Sequence, residues 1–167
     1  MTSDGDRDIA AVLLLAVENA GLPHEHVAAR IEAELLARND VEPWLAQAAL
    51  AKSPDGIVSV LRAVAGAHPL LSDALAAFEV IARVRERHHV PPARAIRFVL
   101  DRWYDGDVPP YLTPLMDDVY EDGFCAHEWD EVQPELAARA LDRFLMAARG
   151  RSQLAEQIAR VAGAGWV

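Results

Sequence analysis

Four carboxylates within six positions, Asp117, Asp118, Glu121 and Asp122, come closest in this chain to a chemical device. On a helix, residues three and four apart share a face, so Asp118 and Asp117 both meet Glu121. Like charges at that spacing repel by about 0.2–0.5 kcal/mol per pair, so folding alone does not favour the arrangement. The cluster belongs to a longer stretch, 105–135, that carries ten acidic residues and no Lys or Arg. Tyr111, Tyr120, Phe124 and Trp129 stand among the acids. Such a mixture has three uses: a solvated surface, a docking face for a basic protein, or a divalent-cation site. In the docking reading the surface comprises Asp117, Asp118, Tyr120, Glu121, Asp122, Glu128, Trp129, Asp130 and Glu131. Its rings supply desolvated area and its carboxylates steer and pair with cations.

The cation reading rests on Asp117, Asp118, Glu121 and Asp122 as ligands. Asp117-Asp118 with Glu121-Asp122 resembles the aspartate-rich motif of class I isoprenoid synthases, in which carboxylates hold magnesium against a diphosphate. The likeness covers six residues, and the second metal motif of that family is not evident. Glu128-Trp129-Asp130-Glu131 offers one Glu-x-x-Glu, similar to the magnesium-binding pairs of all-α nucleoside-triphosphate pyrophosphatases, again without a second motif in register. A magnesium-dependent hydrolase of phosphate esters is therefore the alternative to the docking face. The docking reading follows the physical logic of bacterial immunity proteins that cap basic toxins, as an analogy of mechanism and without a shared motif.

Other chemistry has less to stand on. His24 and His26 are two apart at a helix start, about 200° around the axis from each other, so they do not converge on one metal. His88-His89 precede Pro91-Pro92 at a helix end, where an imidazolium suits the dipole. Cys125 with His127 falls short of the four ligands of a structural zinc site. Ser53, Ser72 and Ser152 read as helix caps rather than nucleophiles. No phosphate-cradling glycine motif is present, and no cofactor is expected.

The chain that must position these groups has 167 residues, enough to bury a sizeable core. Hydrophobic residues make up 52%, which argues against disorder away from the ends. The formal net charge of −10 speaks against a nucleic-acid binder or a ligand of anionic membranes. The charge is patterned: residues 61–104 hold seven basic and four acidic groups, beside the wholly acidic 105–135. That segment could fold back on Arg83, Arg85, Arg87, Arg94, Arg97 and Arg102, a third fate for its carboxylates. A single cysteine permits no internal disulfide and fits a reducing cytoplasm. The apolar run Ile9–Val17 is too short to span a bilayer and reads as a buried helix.

Abundant alanine and 3.6-residue apolar periods predict an all-α chain, one compact domain over 1–167. About nine short-to-medium helices are expected. The first runs from about Asp6 to Ala20. Pro23, Pro43, Ser53-Pro54, Ser72, Pro91-Pro92, Thr113-Pro114, Pro134 and Ser152 open the others. Gly123 is expected to stop the short helix of the acidic segment, and Trp166 to dock back on the body. A loose echo between Leu22–Leu35 and Val90–Trp103 leaves room for a helical-hairpin array. The partner expected is a basic protein of unstated identity, with self-association through alanine-rich faces left open.

Overall fold

The computed structural model describes residues 3–37, 42–51, 53–125 and 134–167. These form ten α-helices and, among the described residues, no strand. The helices are α1 (Asp4–Leu15), α2 (His24–Ala37), α3 (Pro43–Leu50), α4 (Pro54–Ala65) and α5 (Pro69–Ser72). They continue with α6 (Ala74–Arg87), α7 (Ala93–Tyr104), α8 (Thr113–Tyr120), α9 (Pro134–Ala148) and α10 (Ala155–Gly163). A π-helical stretch prolongs α1 over Ala16–Ala20, and another prolongs α8 over Glu121–Cys125. No helix among the described residues is long and apolar enough to cross a membrane.

Two helices form the centre. Every residue from Ala10 to Val17 is buried, so α1 beyond its charged first turns is apolar on all sides, as the run Ile9–Val17 predicts. Nine of the fourteen residues of α6 are buried as well. A helix buried all round needs neighbours on every side. Around α1 lie α4, α5, α6 and α10; around α6 lie α5, α7, α9, α10 and the π-helical end of α1. Phe78 of α6 meets Phe144 of α9 edge to face, with centroids 5.0 Å apart, and Phe98 of α7 at 6.2 Å. The buried side chains form one continuous core.

Local signals explain most of the boundaries. Ser3 and Asp6 form a reciprocal capping box, which starts α1 two residues before the expected Asp6. Gly21 ends the first unit with φ +79°, a conformation that costs glycine little. Ser53 caps α4 through the Gly56 N–H at 3.1 Å, and Pro54 takes the first turn.

Elsewhere the signals mislead. Ser72 ends the single turn α5, a helix absent from the expectation, by donating to the Pro69 carbonyl. Asp73 caps α6 instead, accepting from the Leu75 and Ala76 N–H groups. Gly123 does not stop its helix. It lies inside the π-helical stretch, where an added Cβ would stand 2.9 Å from Ile96 Cγ2. The missing side chain leaves room for the Ile96 side chain packed against it. The hairpin echo has no counterpart in packing: α2 lies on α3 and α4, whereas α7 lies on α6, α8 and the end of α1.

Candidate acidic docking face

Pro109-Pro110 lead into a 3₁₀ turn over Pro110–Leu112, and Pro114 pre-sets the first turn of α8. Met116 and Val119, three apart, are buried, which fixes the rotation of the helix. Asp117 and Glu121 are consequently turned to solvent, with no partner among the described residues. Asp118 is tied to Arg143 of α9 at 3.0 Å, yet remains 47% exposed. Asp122 lies at the mouth of a cleft of about 690 Å³ shared with Leu136, Arg139, Arg143 and Met146. Met146 and Leu136 are both exposed apolar side chains.

On the other flank, a second cleft of about 560 Å³ runs along α7, lined by Ile96, Leu100, Asp101, Tyr104 and Gly123. Tyr104 is 67% exposed. Nothing in its local sequence marks it as part of this surface, because the packing of α8 against α7 is not visible along the chain. Tyr120, by contrast, is half-buried and stands against Trp103 at 6.3 Å, with the rings at 60°. Much of its ring is thus committed inside the protein. Tyr111 is 52% exposed, with the Arg151 guanidinium 5.7 Å from its centroid. The side chain of Phe124, and residues Glu128, Trp129, Asp130 and Glu131 of the expected surface, lie outside the described residues, as does the Cys125–His127 pairing.

The carboxylates do not converge. Among the described residues no three His, Cys, Asp or Glu side chains are grouped to hold a metal ion. Asp118 points to Arg143, and Asp122 shares its cleft with Arg139 and Arg143. The magnesium alternative on Asp117, Asp118, Glu121 and Asp122 requires oxygens converging on one point at about 2.0–2.1 Å. That arrangement is not present here.

The arginines of 83–102 mostly have other business. Arg83 pairs with Glu79 at 2.9 Å, and Arg85 with Asp142 at 2.7 Å. Arg87 donates to the carbonyls of Ala162 and Val167, and Arg94 to that of Val17. Only Arg102 meets a described carboxylate of the acidic segment, Asp107 at 2.9 Å. Among the described residues, fold-back therefore neutralises little of the segment, and the long-range tie comes from Arg143, beyond the arginine-rich stretch.

The histidines rearrange as well. His26 finds no partner in His24; its ring stands 5.1 Å from that of His88, from the far end of α6. Burial, then the charges of His26 and Arg87, hold the His88 imidazole below its ordinary 6.5. The dipole at the end of α6 does not outweigh them. No family model, curated protein or solved structure matches this chain.

Proposed function

We propose that the protein is a binding module that engages a basic protein through the acidic face of α8 and the clefts on either side. The observation that carries this is the outward placement of Asp117 and Glu121, without a partner among the described residues, beside two clefts bearing exposed Tyr104, Leu136 and Met146. Buried apolar anchors supply most of the affinity at such a surface, while rim carboxylates set the encounter rate and register. An immunity or antitoxin-like protein that caps a cationic toxin is the most concrete form; an adaptor is the looser one. The cytoplasm is the compartment this reading assigns.

The test is a pull-down from the source organism with the wild type and with Asp117→Ala/Asp118→Ala/Glu121→Ala. The wild type is expected to retain a basic partner that the triple variant loses. Association with that partner should slow by about tenfold or more from low to physiological salt. Recovery of the same proteins by both baits would remove the support for the acidic face.

A further inference from the structure

Two imidazoles far apart in sequence meet on elements that take no part in the acidic face. His26 stands in the first turn of α2, and His88 ends α6. Their ring centroids are 5.1 Å apart and the planes are tilted by 49°, neither stacked nor edge to face. No hydrogen bond or ion pair reaches either ring among the described residues. The backbone beneath them is fixed. The His88 N–H donates to the Val84 carbonyl, and the His88 carbonyl accepts from the Val90 N–H, both at 2.8 Å. Buried Val27 sets the rotation of α2 and leaves its neighbour His26 exposed. His88 is half-buried, so the pair can be reached from solvent.

The charge state suits a ligand role. Burial, then the charges of His26 and Arg87, favour the neutral His88 ring, and no carboxylate is among the groups that shift it. Neutral imidazole is the form that binds a metal ion. Arg87, the cation beside the pair, is spent on the carbonyls of Ala162 and Val167. The spacing selects a geometry. With Zn–N near 2.0–2.1 Å and a tetrahedral angle, two ligating rings have centroids about 5.2 Å apart. A right angle, as in square-planar or octahedral sites, would set them about 4.5 Å apart.

We propose that His26 and His88 together hold a zinc ion, one from α2 and one from the end of α6. No third His, Cys, Asp or Glu is grouped with them among the described residues, so the remaining positions of the ion fall to water. Two protein ligands make an exchangeable site, one that fastens α2 to α6 only while zinc is present.

The test is a zinc titration of the untagged chain at about pH 7.5, followed by NMR of the imidazole C–H resonances. His26 and His88 are expected to shift together and saturate at one equivalent bound, with a dissociation constant on the order of 0.1 mM. His68, whose ring nitrogens are engaged by Asp8 and the Leu70 N–H, is the internal control and should not move. His26→Gln and His88→Gln should each weaken zinc about tenfold or more, and the double variant should lose little beyond either one, since a single imidazole does not chelate. Amide spectra of the variants without zinc separate lost ligation from lost folding. Magnesium at about 10 mM should leave both rings unmoved, since imidazole suits zinc and not magnesium. Separate saturation of the two rings, equal shifts at His24 or His89, or a folded single variant that binds zinc as the wild type does would each overturn the site.

Discussion

His88 shows how little a residue's neighbours in sequence say about its charge. A helix C-terminus favours an imidazolium there, and the run Arg85–His89 looks like a solvated basic end. Packing brings His26 within 5.1 Å and buries part of the ring, so the neutral form is favoured in the folded protein. The folded pKa lies below 6.5, and the unfolded chain binds more protons in the interval between the two values. The stabilising effect of a neutral His88 is complete above 6.5 and is lost as pH falls through the folded value. His88→Gln should therefore flatten part of the decline in urea midpoint between about pH 7 and pH 5. Identical declines in variant and wild type would assign the acid sensitivity to other groups. The spacing of His24 and His26 was legible as divergent; the meeting of His26 with His88 was not, because it depends on how α2 docks.

Helix starts are the best-written part of the chain. Pro43, Pro54 and Pro134 each open a helix where their missing N–H costs nothing. Caps are less legible, since adjacent Ser72 and Asp73 are both competent and the backbone path chooses Asp73. Gly123 carries two possible meanings, a stop and a close approach, and only the position of Ile96 separates them. Gly123→Ala should destabilise the protein by about 1–3 kcal/mol through the collision with Ile96. In urea unfolding, the double variant Gly123→Ala/Ile96→Ala should lose less than the sum of the single changes, since truncating Ile96 makes room. Strict additivity would show that the two residues do not compete for one space.

The molecule is held across its length by polar ties spaced along α6. Asp73 accepts from Ser152 at 2.8 Å, Glu79 from the Gly150 N–H at 2.8 Å, and Arg85 donates to Asp142 at 2.7 Å. Glu86 pairs with Arg149, and Arg87 holds the Ala162 and Val167 carbonyls. Together they hold α9, α10 and the tail on the central helix. Trp166 follows, 4% exposed, with the Arg30 guanidinium 4.9 Å from its ring centroid. Glu79 is the most enclosed of these groups, at 1% exposure. Glu79→Ala should cost about 2–4 kcal/mol by urea denaturation, stranding the Gly150 N–H and leaving Arg83 without its carboxylate. Glu79→Gln, which retains an acceptor, should lose less; a cost below about 1 kcal/mol for the alanine variant would mean the tie is not structural. Read from letters alone, the chain declares an all-helical body, a buried α1 and an acidic stretch, because periodicity, caps and charge runs are properties of neighbours along the backbone. Which carboxylates stay free, that Tyr104 faces out while Tyr120 packs on Trp103, and that His26 meets His88 were decided by the tertiary structure. Those outcomes depend on pairings between residues far apart in sequence, and such pairings are set by packing.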